Sequence, residues 1–343
     1  IGENPEAERQ ISHIAKAVHE NGGLVSFQLT HAGGFAHPHL SPSGKTYAPS
    51  SVINPGTGAF PTSASDVDLD RLERQFAEAA RFVCSCGVDA VELHCGHGYL
   101  LSQFLSPHTN LRRDDYGGSL EGRLKFPLRV VRAVRAAIGP GVPLLIKTNT
   151  HDGFEGGVSE QEARQIAVQL LAAGGDILIP SGGFVSRNGF FMLRGAVPYS
   201  SLTRCVFGTT LLGLFTLVVR VFTPTITFSH TFFRDAARAI LDVVRHSSSH
   251  GGLVGLVGGV TSLSMAEQAI ADGFAVVQLG RALIHDPFLV EKWSQTLKDG
   301  GGDVMSGCTH CNECVINALL PPQAQARPRC VLRQTADIED CIA

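Results

Sequence analysis

Two periodicities alternate along the chain. Apolar residues recur at helical spacing over 4–21 (Ile11, Ile14, Ala15, Val18), over 66–86 (Leu69, Leu72, Phe76, Ala79, Ala80, Val83) and over 230–246 (Phe233, Ala236, Ala237, Ile240, Leu241, Val244). Further helices are expected over 122–138, 262–272 and 286–297. One more opens on the Ser159-x-x-Glu162 capping box and closes at Gly174-Gly175. Between the helices stand short, nearly continuous apolar runs at 24–29, 88–93, 143–150, 176–180, 252–260 and 274–281. Runs of this kind suit parallel strands buried on both faces. Six strand–helix units preceded by one helix point to an α/β fold with a parallel sheet.

Polar residues gather where the strands end. Gln28 lies near the end of its run, just before Thr30-His31-Ala32-Gly33-Gly34, and a buried amide must be paired. Gln28 can serve a ligand's polar edge or a neighbouring loop. His94, His97 and Tyr99 follow the strand at 88–93. Two imidazoles and a phenol so close can hold a substrate oxyanion and supply a proton, or the histidines can simply cap a loop. Lys147 sits among apolar neighbours in PLLIKTNT; it either faces a ligand or carboxylate, or snorkels from the strand end. Gly258-Gly259 and Gly280-Arg281 end the last two strands, where many barrels build a phosphate site. Glycines there let backbone N–H groups approach the phosphate, and an arginine adds a bidentate charge.

Composition narrows the class. The chain has 343 residues, which a single α/β barrel can use, and only 17% are charged, against a usual quarter. The formal net charge of -3 gives no electrostatic case for nucleic acid or an anionic membrane. Nine cysteines spread along the chain do not read as a secreted disulfide framework, so a reducing, cytoplasmic setting is expected. Residues 35–65, rich in Pro, Ser, Gly and Thr, form a long loop of the kind that covers a site. The run 205–228 is nearly apolar and about long enough to cross a bilayer, but Arg220 and Pro224 interrupt it, and barrel units lie on both sides. It is read as a non-membrane segment.

The stretch HCGHGYLLSQFLSPHTNLRRDDYGGS, residues 94–119, resembles the hallmark segment of the Old Yellow Enzyme family of NADH:flavin oxidoreductases. The resemblance implies an FMN-dependent TIM (β/α)8 barrel that takes hydride from NAD(P)H and reduces activated alkenes such as enones. By it, His94 and His97 bind the electron-withdrawing group of the substrate and Tyr99 protonates the alkene carbon. Gln28, in a run similar to the family's third strand, contacts the flavin, and Lys147 lies at flavin N1 and O2. The phosphate falls to Gly258, Gly259, Gly280 and Arg281. The resemblance covers roughly residues 5–335. A closed barrel needs eight strands and six are counted, so the first two are expected to be missing; Ile1 is not a methionine and no targeting pattern precedes the first helix, which fits an N-terminally truncated chain. Residues 1–300 are assigned to the barrel and 301–343 to a cysteine-containing loop and tail.

Cys308-x-x-Cys311-x-x-Cys314, followed by Cys330, could hold zinc or an iron–sulfur cluster. The iron–sulfur branch of the family, of the 2,4-dienoyl-CoA reductase type, carries four cysteines here at a different spacing. Free thiols are expected, with no metal, and a 4Fe-4S cluster is the alternative. Other readings are a metal-dependent barrel using His94 and His97, for which no carboxylate at metal-site spacing is found, and an inactive barrel fragment. A homo-oligomer is compatible with all of these.

Overall fold

The computed structural model describes residues 4–41, 43–55, 57–58, 60–207, 216, 220–221, 223–247, 251–319 and 330–332. Much of the apolar run 205–228, namely 208–215, 217–219 and 222, lies outside the described residues. Among those described, no helix is long and apolar enough to cross a membrane.

The contacts divide the chain into two compact units: Ile1–Arg187 with Asp235–Gly255, and Asn188–Arg234 with Leu256–Ala343. The segment after 300 packs with the elements before it: Trp293 Nε1 donates to Val304 O at 2.8 Å, and Ser262 bridges Met305.

Among the described residues, the main sheet of the first unit has five parallel strands in sequential order: β1 (Ser26–Leu29), β2 (Ala90–Cys95), β3 (Leu144–Asn149), β4 (Ile177–Ser181) and β5 (Leu253–Val254). Its helices are α1 (Pro5–Glu20), α2 (Asp66–Ser85), α3 (Leu100–Leu105), α4 (Leu120–Ile138), α5 (Glu160–Ala172) and most of α6 (Arg234–His246). Their starts are written in the sequence. Asn4 accepts from the backbone N–H groups of Glu6 and Ala7 and precedes Pro5, and Ser65 with Asp68 and Ser159 with Glu162 close full capping boxes. Val91, Leu93, Leu144, Ile146 and Leu178 of the sheet are fully buried, as are Phe126, Val130, Val131 and Val134 of α4. Burying such a side chain contributes about 1.5–3 kcal/mol, and this apolar packing fixes the strands whose ends carry the polar residues.

The apolar run at 252–260 is not one strand. Leu253–Val254 pairs with β4, whereas Leu256–Val257 (β6) pairs with Val277–Gln278 (β7) in the second unit. Gly255, whose N–H reaches Leu178 O at 2.8 Å, marks the change of partner. The second unit also contains α7 (Leu263–Ala271) and α8 (Leu289–Asp299), with Leu263, Ala282, Leu289 and Trp293 as one apolar cluster.

Candidate active site

Directly registered residues of neighbouring parallel strands share a face, and so do residues two apart on one strand. Gln28 registers with Glu92, His94 with Lys147, and Asn149 with Ser181. One face of β1–β4 therefore carries Gln28, Glu92, His94, Lys147, Asn149 and Ser181. The opposite face carries Val91, Leu93, Ile146 and Leu178. Polar residues are thus concentrated on one side of the sheet, while the other side is mostly apolar, with Thr148 as a polar member.

His94 and His97 are brought together. Their rings stand 4.9 Å apart, with His97 Nδ1 3.0 Å from His94 Nε2, and His97 Nε2 lies 2.7 Å from Ser181 Oγ. The protons can be assigned from this network. The Gly96 N–H points at His94 Nδ1, so Nδ1 accepts and the proton sits on Nε2. His94 Nε2 then donates to His97 Nδ1, and His97 Nε2 donates to Ser181. Both rings are neutral. Burial, then the Lys147 cation, lowers His94 to about 4, and burial, then His94 and Lys147, pushes His97 well below its ordinary value.

His97 is held in an unusual backbone conformation, φ 59°, and Gly98 follows at φ 77°. Asn149 Oδ1 accepts the His97 N–H at 3.0 Å, and Val185 N–H donates to His97 O at 2.9 Å. Asn149 is fixed in turn by Asp152 Oδ1 and Gly183 O. At Gly98 a Cβ would stand 2.5 Å from the Phe184 ring, so only glycine lets that ring close over the turn.

Tyr99 is the residue before α3 and packs edge-on against His94 at 4.9 Å and Phe35 at 6.0 Å. Burial raises its phenol, which is therefore protonated at neutral pH. Among the described residues none hydrogen-bonds the Tyr99 hydroxyl. Glu92, 6% exposed at its side chain, receives Gln28 Nε2 and, at 3.0 Å, Lys147 Nζ on the same oxygen, Oε1. Hence His94, His97 and Tyr99 form one cluster, Gln28 and Lys147 meet at Glu92, and both groups lie in the first unit.

The model of the NADH:flavin oxidoreductase / NADH oxidase family matches residues 4–181. The 4,4'-dithiodibutanoate disulfide reductase of Rhodococcus erythropolis is 35% identical over 332 residues, 96% of this chain and 77% of that protein. The chain belongs to this NADH:flavin oxidoreductase family. The NADH oxidase of Thermoanaerobacter brockii is 32% identical over 300 residues, 87% of this chain but 40% of that protein. Among solved structures, 2-naphthoyl-CoA reductase superposes with a TM-score of 0.70 at 20% identity, covering 90% of this chain and 43% of that one. Morphinone reductase gives 0.62 at 22% identity, covering 86% and 70%. These likenesses support the fold: the barrel class of the Old Yellow Enzyme type. The family implies FMN as cofactor and NAD(P)H as reductant.

The donor set of the first unit fits a flavin. An ammonium and a primary amide, held by one carboxylate, offer a cation and an amide to a pyrimidine edge rich in carbonyl oxygens. The fit of the phosphate residues, all in the second unit, is mixed. Gly258 and Gly259, at φ 100° and 80°, have their missing Cβ directions filled by Phe232 and Phe233 and by the backbone of Ser229 and Thr231, at 2.7–2.8 Å. Packing against 229–233 is thus enough to require glycine there. Gly280 has open space at its Cβ direction. Arg281 is committed to Arg194 O at 2.9 Å and Asn312 Oδ1 at 2.5 Å.

Arg281 also lines a small cavity with Cys308, Cys311, Cys314 and Cys330, none of them in a disulfide, so the structure brings the four cysteines together. His285 Nδ1 lies 3.4 Å from Cys330 Sγ. Among the described residues no group of three or more His, Cys, Asp or Glu is disposed to hold a metal ion.

Sequence reasoning missed Glu92, Asn149 and Ser181. The available signal was a charge, amide or hydroxyl in an apolar run, two residues before His94 or at a strand's last position.

Proposed function

We propose that the chain is an FMN-dependent NAD(P)H oxidoreductase that reduces the C=C bond of an activated alkene such as an enone, with Tyr99 as proton donor. The observation that carries this reading is the cluster of two neutral imidazoles and a protonated phenol on the polar face of the sheet, beside the Gln28–Glu92–Lys147 group. When bound, FMN supplies the hydride chemistry.

The protein's own residues then have separable tasks. His94 and His97 each carry one N–H. A substrate carbonyl oxygen takes over the protons that now serve His97 Nδ1 and Ser181 Oγ, and the two donors stabilise the negative charge that develops on that oxygen. Neither ring is then free to protonate carbon. Tyr99, packed on His94, holds the remaining transferable proton at its hydroxyl. Gln28 and Lys147 face the flavin's pyrimidine edge, where the ammonium stabilises charge on the reduced ring. Gly258, Gly259, Gly280 and Arg281 remain the residues proposed for its phosphate.

Lys147→Met tests the assignment of the cation. Reduction of the bound flavin by NAD(P)H, followed by anaerobic stopped-flow, is expected to slow by about 10²-fold, the usual loss when one stabilising donor is removed. An unchanged rate contradicts this role.

A second reading, the iron–sulfur type, is favoured by one observation: the four cysteines line one cavity with Arg281. The leading reading expects free thiols. Iron and acid-labile sulfide in anaerobically purified protein separate the two. Negligible iron is expected, whereas roughly four irons per chain, one cubane held by four thiolates, would move the protein to that branch.

A further inference from the structure

We propose that Glu92 is a positioning residue for the cofactor: it clamps the Gln28 amide and the Lys147 ammonium in one geometry and sets the charge the flavin meets. The proposal rests on the reading of Gln28 and Lys147 as flavin-facing.

Glu92 sits in the middle of β2, with its side chain 6% exposed and that of Lys147 16% exposed. As a stabilising device such a pair is poor, because apolar residues of similar volume often do as well or better. Its effect on geometry is considerable. Gln28 registers directly opposite Glu92, and Lys147 opposite His94, two residues further along the same face. Glu92 Oε1 accepts from Gln28 Nε2 and from Lys147 Nζ.

Two consequences follow. An unanchored amide presents either end to a ligand. With Nε2 turned to Glu92, Gln28 has its carbonyl oxygen directed away from the carboxylate, which fixes which end a flavin meets. The Lys147 cation is also no longer an isolated charge. The carboxylate offsets part of its field and restrains its stem, so the group presents a weaker positive potential at a fixed place. The field of the carboxylate also reaches His94, whose imidazole feels Lys147 and Glu92 with opposite signs. Glu92 touches neither substrate nor reacting atoms in this account. It acts through Gln28 and Lys147.

The test is the two-electron midpoint potential of the bound flavin, with FMN affinity of the oxidised protein measured alongside. Glu92→Gln keeps the shape and one acceptor oxygen but removes the charge. Preference for reduced over oxidised FMN should rise about tenfold, a positive shift of about 30 mV. Lys147→Met should shift the potential the other way, and the double variant should fall between them. A potential unmoved or lowered in Glu92→Gln, while Lys147→Met lowers it, overturns the proposal and leaves the parent reading standing. Both variants binding FMN with parental potentials would instead overturn the parent reading. Should Glu92→Gln not fold, Glu92→Asp serves. With its charge kept and its reach shortened, it is expected to hold the parental potential and to bind FMN more weakly, and parental affinity in that variant rules out the clamp.

Discussion

Replacing Tyr99 with Phe is expected to slow oxidation of the reduced enzyme by 2-cyclohexenone by about 10²–10⁴-fold, the contribution of a positioned proton donor. The substitution keeps the ring, and with it the edge-on contacts to His94 and Phe35, and removes only the hydroxyl. His94 and His97 are poor substitutes. Both are neutral, and the N–H that each carries is proposed to hold the substrate oxygen. Reduction of the flavin by NAD(P)H requires no carbon protonation and should stay near the parental rate. Reoxidation by oxygen should also persist. Parental enone reduction in the Phe variant would remove Tyr99 as the donor and leave that task to solvent or another group.

Acidification is expected to destabilise the protein before its carboxylates titrate. His94 is held down to about 4 by burial first and the Lys147 cation second, and His97 is lowered for the same causes together with His94 itself. In the unfolded chain both return to about 6.5. Between about 6.5 and 4 the unfolded chain therefore binds protons that the folded chain refuses. The stabilisation is complete above that window and is lost as pH falls through it. At pH 5 His94 alone accounts for roughly 2 kcal/mol, a sizeable part of a typical net stability of about 5–15 kcal/mol. A fall of roughly 3 °C in melting temperature between pH 7 and pH 5 follows for a chain of 343 residues, at about 2.1 cal/mol/K of unfolding entropy per residue. His31, His108 and His310 are also lowered by burial and add in the same direction. The comparison with His94→Gln isolates the term, since that variant should show a visibly shallower dependence. An identical slope in the two proteins would mean that His94 is not buried neutral.

The helices and strands of the first unit were legible because each depends on local pattern. Apolar spacing set α1 and α2, and Ser159 with Glu162 announced the start of α5. Helix α3 escaped because all six of its residues are buried, which erases the periodicity that marks a surface helix. The run at 252–260 looked like one strand because no local feature of GLVGLVGGV says that its two halves pair with different neighbours. His94, His97 and Tyr99 stood out by their residue types. Glu92, Asn149 and Ser181 did not, because their importance lies in register. Only when Gln28 is opposite Glu92 and Asn149 opposite Ser181 does a polar face emerge. The glycines at 258–259 illustrate the reverse. Their identity matched a phosphate loop, yet Phe232 and Phe233 also account for it by packing.

The central claim is that the cluster of His94, His97 and Tyr99 directs reduction to an activated C=C bond. It is tested most directly by mixing anaerobically reduced, FMN-loaded protein with 2-cyclohexenone and, in a parallel sample, with 4,4'-dithiodibutanoate, the compound in the name of the Rhodococcus erythropolis relative. The account predicts that the enone restores the oxidised flavin spectrum and yields one equivalent of cyclohexanone. Reoxidation by the disulfide, with no cyclohexanone formed from the enone, would contradict it.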